Sequence, residues 1–225
     1  MQNNKIELIK VENMSKSING NTIIKNANFS IYKGEMIAII GKSGSGKSTL
    51  ISILSGLDKP SEGNVYIEKE NLYEKNEREL SKFRNSKIGI IFQNYNLLNE
   101  LTCIENIEVP IIFSEKGSFD DKEKEKILEL LDLTEKKDLY PKQLSGGEQQ
   151  RTAIGRAMIN KPSIIFADEP TGALDSINGE RIISILKNLV LEMSTTVILV
   201  THDLDIANQC DRKILIKDGE IYEDK

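Results

Sequence analysis

Short, continuous apolar runs alternate along this chain with segments of helical periodicity. Apolar runs bounded by turn residues are typical of strands that are buried on both faces. Strands are predicted over residues 6–11, 23–32, 36–40, 65–67, 88–92, 164–167 and 197–201, with a final hairpin over 214–221. Helices are predicted over residues 47–57, 120–133 and 178–191. This alternation favours a mostly parallel sheet with helices on both of its faces.

The pattern changes between residues 95 and 160, which are charged and helix-prone, so we interpret them as an inserted subdomain. Ile127, Leu128 and Leu131 make one apolar stripe on the predicted helix 120–133. A second apolar set comprises Leu97, Leu98, Leu101, Ile104, Ile107, Val109, Ile111 and Ile112. We expect part of this set to be buried and the rest to form an exposed patch for a partner. Complete burial of the set is the alternative.

Composition narrows the functional classes. The 225 residues carry a net charge of −5, which gives no support to general binding of nucleic acid. Cys103 and Cys210 are not spaced like a metal site, and we expect reduced thiols in a cytosolic protein. Residues 1–10 lack the apolar core of a signal peptide, and no apolar run approaches the ~20 residues that cross a bilayer. Any membrane role is therefore expected to come through a partner.

A phosphate-binding loop is predicted directly after the strand 36–40. Its sequence, Gly-Lys-Ser-Gly-Ser-Gly-Lys-Ser-Thr, matches G-x-x-x-x-G-K-[S/T] between a strand and a helix, which argues against a chance Gly/Ser loop. The glycines let backbone N–H groups surround phosphate oxygens, Lys47 adds a charge, and the Ser48 hydroxyl suits Mg²⁺. The candidate nucleotide-binding residues are Gly41, Ser43, Gly44, Ser45, Gly46, Lys47, Ser48 and Thr49.

Two carboxylates follow the apolar strand 164–167. In P-loop NTPases an aspartate at this place supports Mg²⁺, so Asp168 takes that role. Glu169 is then free to orient and polarise the attacking water. An acidic cap of a surface strand is the alternative, and the preceding phosphate loop argues against it.

Two polar residues follow other predicted strands at the edge where ligands bind in open α/β sheets. His202, the sole histidine, comes directly after 197–201 and has a position from which to contact the γ-phosphate. Gln93 comes directly after 88–92, and its amide has the reach for Mg²⁺ or the attacking water. The alternative for His202 is a purely structural role. The alternative for Gln93 is that it is only a polar residue at the start of a loop.

A second anion-binding surface is predicted at Leu-Ser-Gly-Gly-Glu-Gln-Gln-Arg (144–151), where small residues begin a helix. It lies far along the chain from the phosphate loop. Two anion surfaces for one nucleotide indicate a site that is completed by two chains.

In this order, these segments resemble the ATP-binding subunit of an ABC transporter over essentially the whole chain. The motifs are the Walker A loop (41–49), the Q-loop Gln93, the signature (144–150), the Walker B strand with Asp168 and Glu169, the D-loop Ala173-Leu174-Asp175 and the switch His202. Weaker signals at 56–60, 102–110 and 170–175 resemble the branch that holds macrolide exporters, lipoprotein-release ATPases and bacitracin-type peptide-resistance transporters.

The resemblance implies an α/β fold with a P-loop NTPase (RecA-like) core, a mostly parallel sheet, an N-terminal antiparallel β subdomain and an inserted helical subdomain. It implies a single ABC ATPase domain over 1–225, with a core at 1–94 and 161–225 and a helical signature subdomain at 95–160. It also implies a cytoplasmic protein that is peripheral on the inner face of the cell membrane.

The resemblance further implies that two copies bind head to tail around two ATP molecules. The implied roles are catalysis by Glu169, His202 and Gln93; Mg²⁺ binding by Ser48, Gln93 and Asp168; and contacts to the partner's ATP by Ser145, Gly146, Gly147, Gln149 and Asp175. An integral membrane permease, FtsX-like in this branch, would dock near Gln93 and the helical insert. No nucleic acid is implied.

One position departs from the family pattern. Family members usually carry an aromatic residue that stacks on adenine, where this chain has Ile18, and residues 1–28 contain no aromatic. We expect a loosely held base, on Ile18 or on nothing, because the missing aromatic stacking is worth about 0.5–1.5 kcal/mol. Burial of Ile18 in the core, with Phe29 or Tyr32 near the base, is the alternative.

The expected function is to power a permease, most consistently one for antimicrobial peptide or drug export and resistance. Two alternatives remain open: an ATPase that transmits force through an FtsX-like protein without transport, and a soluble ABC ATPase.

Overall fold

The computed structural model describes residues 5–114 and 120–224. Residues 115–119, which belong to the expected helical segment 95–160, lie outside the described residues. The strands are β1 (Glu7–Ile18), β2 (Asn21–Tyr32), β3 (Met36–Ile40), β4 (Glu62–Ile67), β5 (Glu70–Asn71), β6 (Ile88–Ile91), β7 (Ile164–Asp168), β8 (Thr196–Val200), β9 (Arg212–Lys217) and β10 (Glu220–Asp224). The helices are α1 (Lys47–Leu54), α2 (Glu77–Lys87), α3 (Cys103–Ile112), α4 (Asp121–Leu130), α5 (Gly146–Met158), α6 (Ser176–Met193) and α7 (Leu204–Ala207).

The larger sheet has the order β10-β9-β3-β8-β7-β6, counted over the described residues. Every neighbouring pair from β9 to β6 is parallel, and only β10 pairs antiparallel. The expectation of a mostly parallel sheet is confirmed. Because β3 lies beside β8, and β8 beside β7, the segments that end these strands meet at one edge of the sheet.

Successive residues of the central strands face two different cores. Ile164 and Phe166 of β7 belong to the core that also holds α1, whereas Ile165 and Ala167 belong to the core that holds α5 and α6. A strand that is buried on both faces needs an apolar residue at every position, which accounts for the continuous apolar runs in the sequence.

The smaller sheet is antiparallel, with the order β2-β1-β4-β5 in the described part of the chain. Its first strand is longer than predicted, since β1 continues from the predicted end at residue 11 to Ile18. This polar extension is stabilised by pairing with β2 rather than by its own apolar pattern. The strands join through Asn19 and Gly20, both left-handed (φ 51° and 80°), as a two-residue hairpin turn requires.

Several predicted helix bounds are too long, and two helices, α2 and α7, are missed. Helix α1 ends at Leu54 rather than 57, and α4 spans Asp121–Leu130 rather than 120–133. The predicted stripe of Ile127, Leu128 and Leu131 is buried. Helix α2 has little apolar periodicity, but Asn76 and Glu79 form a capping box at its start, which is a signal present in the sequence.

None of the described helices is both long enough and apolar enough to cross a bilayer.

Candidate active site

The loop between β3 and α1 folds around its own lysine. A Cβ atom at Gly41 would lie 2.5 Å from the Ile216 carbonyl oxygen, so only glycine fits there. Lys47, the first residue of α1, is only 8% exposed, and its Nζ donates to the carbonyls of Gly41 (2.9 Å) and Lys42 (3.0 Å). The lysine charge is therefore held at the inner rim of a loop that leads into a helix N-terminus, where anions are favoured.

Asp168 at the end of β7 lies against the same loop. Burial raises the pKa of its carboxyl group, and the Glu169 charge adds to this, whereas a hydrogen bond from Ser48 and the charge of Lys47 oppose it. A carboxylate and a hydroxyl are oxygen donors of the kind Mg²⁺ uses together with phosphate oxygens. The oxygen donors of Ser48 and Asp168 therefore fit the expected Mg²⁺ ion.

Glu169 sits in a strained backbone conformation. Its φ of 44° is left-handed, although it is not a glycine, and its N–H donates to the Val200 carbonyl at 3.0 Å. Its Oε2 lies 3.1 Å from His202 Nδ1, 33 positions along the chain. Strain of this kind persists only where the surroundings enforce it, and it is concentrated at functional sites.

Gln93 approaches the same carboxylate from β6. A methyl group at Gly172 would lie 3.1 Å from Gln93 Nε2 and 3.4 Å from Glu169 Oε2, so Gly172 marks the point where these side chains converge. Gln93, Glu169 and His202, each predicted from its position after a strand, are brought together by the order of β6, β7 and β8.

A cleft of about 590 Å³ joins Glu169 and His202 to the phosphate loop. Its lining residues are Ile18, Ile23, Ser43, Gly44, Gly46, Lys47, Ser48, Thr49, Glu169 and His202. Ile18 is 43% exposed on the cleft wall, so the alternative that it belongs to the core is wrong. Phe29 is buried in the core instead, and the Tyr32 ring lies under the Arg212 guanidinium at 5.5 Å.

The segment 144–151 forms a capped helix start and does not line this cleft. Ser145 is the N-cap of α5, and its backbone N–H donates to Glu148 Oε2 at 2.7 Å. That hydrogen bond lowers the pKa of Glu148, with help from the Ser145 hydroxyl. The cleft is lined by none of the described residues predicted to touch the partner's ATP, which are Ser145, Gly146, Gly147, Gln149 and Asp175.

Contacts within the chain occupy some of these residues. A Cβ at Gly147 would lie 2.6 Å from Asn178 Oδ1, and Asn178 donates to both carboxylate oxygens of Asp175. The start of α5 is thus packed on the segment that begins α6. The side-chain Nε2 of Gln149 donates to the Leu144 carbonyl of its own chain (3.0 Å).

One residue of this region was missed by the sequence analysis. Arg156 on α5 donates to the carbonyls of Tyr95 and Asn96, the loop that follows Gln93. No motif singles out this arginine, because its partners are backbone atoms about 60 positions away in the chain.

Comparisons with known proteins identify the family of this chain. A profile of the ABC transporter family matches residues 24–172. The chain belongs to the ABC transporter family. It is an ATP-binding cassette of that family, and its activity is ATP hydrolysis.

Three curated relatives show how far this ABC cassette resembles others. An ABC transporter ATP-binding protein of Methanocaldococcus jannaschii is 47% identical over 223 residues, 95% of each chain. The lipoprotein-releasing system ATP-binding protein LolD of Aquifex aeolicus is 45% identical, with 96% of each chain covered. The macrolide export ATP-binding/permease protein MacB of Shewanella sp. is 47% identical over 91% of this cassette, which spans only 31% of MacB.

Solved structures confirm the α/β fold of the cassette. The dimeric cassette from M. jannaschii matches with a TM-score of 0.88 at 45% identity, covering 97% of this chain and 98% of that one. A post-hydrolysis dimer of the same cassette, bound to ADP and Pi, matches with a TM-score of 0.87 at 44% identity.

Proposed function

We propose that the cleft between the phosphate loop and Glu169 is the ATP site, with Glu169 polarising the attacking water. The observation that carries this proposal is the left-handed Glu169, held 3.1 Å from His202 beside Lys47 and Ser48 in one cleft. Glu169 has an oxygen to accept a proton from water, and His202 has a second ring nitrogen with which to contact the γ-phosphate. Lys47 and the N–H groups of residues 43–49 bind the triphosphate.

Ser48, Asp168 and Gln93 would hold Mg²⁺ in this proposal. The hydrogen bond between Ser48 and Asp168 supports it, because it brings two oxygen donors together beside the loop. An ion bound there would neutralise part of the negative charge of the phosphates. Loss of magnesium-dependent nucleotide binding in Asp168→Asn, measured by calorimetry, tests this assignment.

We further propose that two copies enclose two ATP molecules. The start of α5 has anion-binding character but lies away from its own chain's cleft, which supports contact of Ser145, Gly146, Gly147, Gln149 and Asp175 with ATP on a second copy. Because the γ-phosphate bridges both surfaces, its loss on hydrolysis would release the closed dimer. Gln149 would have to exchange its bond to Leu144 for that contact.

Glu169→Gln tests the catalytic assignment. The amide has no carboxylate with which to accept a proton, so turnover should disappear while an ATP-bound dimer accumulates on gel filtration. Glu129→Gln, an exposed carboxylate on α4, is the matched control and should behave as the wild type. Normal turnover in Glu169→Gln would contradict the assignment.

We propose that an integral membrane permease, FtsX-like by resemblance, binds beside Gln93 and the helical segment. An open groove of about 310 Å³, lined in part by Leu57, Arg84, Pro110 and Phe113, supports this site. Ile112 is 76% exposed and Leu98 46%, so complete burial of the apolar set that runs from Leu97 to Ile112 is wrong, and the neighbouring Phe113 is 71% exposed. Exposed apolar side chains that cluster at a groove are typical of interaction surfaces.

Leu98→Glu tests the part of this docking site that follows Gln93, because Leu98 is exposed there and a charge need not harm the fold. Co-purification with membrane proteins should fall, whereas Leu191→Glu, at a more exposed leucine near the end of α6, should leave it unchanged. Intact co-purification in Leu98→Glu would speak against the site.

We propose a location on the inner face of the cell membrane and a role in export of drugs or antimicrobial peptides. The resemblance to the macrolide exporter MacB supports this role. Deletion of the gene should increase sensitivity to such compounds, and re-expression of Glu169→Gln should not restore resistance.

A further inference from the structure

The second turn of α5 carries a buried glutamine that does not line the nucleotide cleft. Gln150 is 0% exposed, and its Nε2 donates to the Pro170 carbonyl at 2.7 Å. Pro170 directly follows Glu169 in the chain. Gln150 therefore connects the helix that begins after Ser145 to the peptide next to the proposed catalytic carboxylate.

The hydrogen bonding of Gln150 is incomplete. Its Oε1 is buried and has no hydrogen-bond partner among the residues that the structure describes. A buried amide that leaves one of its groups unpaired costs folding free energy, because water satisfies that group in the unfolded chain. An apolar side chain of the same length would avoid this cost. The contact with Pro170 is what a glutamine provides here and an apolar side chain cannot.

Pro170 lies in a tight turn that begins at Glu169. The Gly172 N–H donates to the Glu169 carbonyl at 3.0 Å, which closes the turn over Pro170 and Thr171. The proline ring fixes its own φ, but the peptide between the two central residues of such a turn can take either of two orientations. The hydrogen bond from Gln150 to the Pro170 carbonyl selects one of them.

This turn is one of three restraints on Glu169. The left-handed backbone of Glu169 persists only where its surroundings enforce it. The Val200 carbonyl accepts from its N–H, and His202 lies against its carboxylate. The turn that follows supplies the third restraint, and Gln150 anchors that turn to α5.

We propose that Gln150 is a positioning residue, which holds the turn 169–172 so that the Glu169 carboxylate faces the attacking water. The proposal rests on the proposed function of Glu169. Gln150 acts through Glu169 alone and does not touch the nucleotide. Its loss should therefore slow the chemical step and leave ATP binding intact.

Gln150→Met tests this role, because methionine keeps an unbranched side chain of similar size without the amide. We expect kcat for ATP to fall by about tenfold, the effect of one hydrogen bond that acts fully on the chemical step, while KM changes by less than about twofold. The melting temperature should stay near the wild-type value, because the unpaired Oε1 is lost together with the hydrogen bond.

Thr195→Val is the matched control. Thr195 is 3% exposed, and its hydroxyl donates to the Pro162 carbonyl at 3.2 Å, at the end of β7 opposite Glu169. The variant therefore loses a similar buried contact to a proline carbonyl, and its kcat should equal that of the wild type. An equal fall of kcat in both variants would overturn the proposal.

The double variant Gln150→Met, Glu169→Gln shows whether the effect passes through Glu169. A positioning residue adds nothing once the group that it positions is gone, so single-turnover phosphate release should match that of Glu169→Gln alone. A further loss of about tenfold in the double variant would contradict the role, and so would wild-type kcat in Gln150→Met.

Gln150→Asn provides the same test if the methionine variant does not fold. Asparagine keeps the amide but is one methylene shorter, so it withdraws the donor from the Pro170 carbonyl. Its kcat should also fall, and wild-type kcat would overturn the proposal. Normal turnover in Glu169→Gln would instead show that the assignment of Glu169 is wrong. If Glu169→Gln is inactive and both Gln150 variants turn over normally, that assignment stands and the role of Gln150 alone fails.

Discussion

The guanidinium of Arg156 donates to the Tyr95 carbonyl at 2.7 Å and, through its other terminal nitrogen, to the Asn96 carbonyl at 2.5 Å. Tyr95 and Asn96 both have left-handed backbones, with φ of 60° and 51°. They follow Gln93 by two and three residues, while Arg156 lies on the helix that begins after Ser145. The Arg156 side chain therefore joins the loop that follows Gln93 to α5, the helix whose start is proposed to contact ATP on a second copy.

Arg156→Lys should lower kcat by about tenfold with little change in ATP affinity. A lysine provides a single nitrogen and cannot bond both carbonyls, and a hydrogen bond from a charged group is worth about 1.5–3 kcal/mol. Steady-state kinetics and calorimetry separate the two effects. Arg78→Lys, exposed on α2, is the control. An equal loss of ATP affinity would instead indicate general disturbance of the fold.

His202→Ala should lower turnover by about a hundredfold while ATP still binds. The histidine is the hydrogen-bonding neighbour of Glu169, and groups that assist proton transfer contribute factors of about 10²–10⁴. His202→Gln should recover part of the activity, since its amide nitrogen also donates to a carboxylate. Single-turnover phosphate release measures this, and full turnover in His202→Ala would refute the role.

Ser145→Asp should remove ATP-dependent dimerisation and turnover without loss of ATP binding to the monomer. Aspartate is as good an N-cap as serine, so α5 keeps its start, but the new charge repels a phosphate. Ser145→Asn provides an uncharged N-cap and should retain more activity. The assay is sedimentation with ATP in a Glu169→Gln background, and a stable dimer in Ser145→Asp would contradict the head-to-tail arrangement.

Glu148→Gln should reduce stability at neutral pH by about 0.5 kcal/mol, the size of a helix-terminus charge effect. The pKa of Glu148 lies below its ordinary value of 4.5 in the fold, so its stabilisation is complete above that pH and is lost as the pH falls. The difference between the two proteins in urea unfolding should therefore shrink below pH 4.5. A difference that stays constant from pH 7 down to about pH 3 would show that charge is not its cause.

Much of the site follows from the sequence because each motif is a local structure. The phosphate loop depends on glycines and on the strand and helix beside it, all within a dozen residues. Gln93, Glu169 and His202 were predicted from their places after apolar strands. The second half of β1, by contrast, has no apolar pattern, and only its pairing with β2 specifies it.

The sequence by itself determined the alternation of buried strands and helices, the phosphate loop and the residues able to carry the chemistry. Tertiary structure alone decided three relationships: the 3.1 Å contact of His202 with Glu169, the exposure of Ile18 on the cleft wall, and the link from Arg156 to the loop of Gln93. The physical reason is the distance along the chain over which each interaction acts. Turns, caps and apolar periodicity act over a few residues, whereas these contacts depend on which strands and helices pack side by side around the two cores.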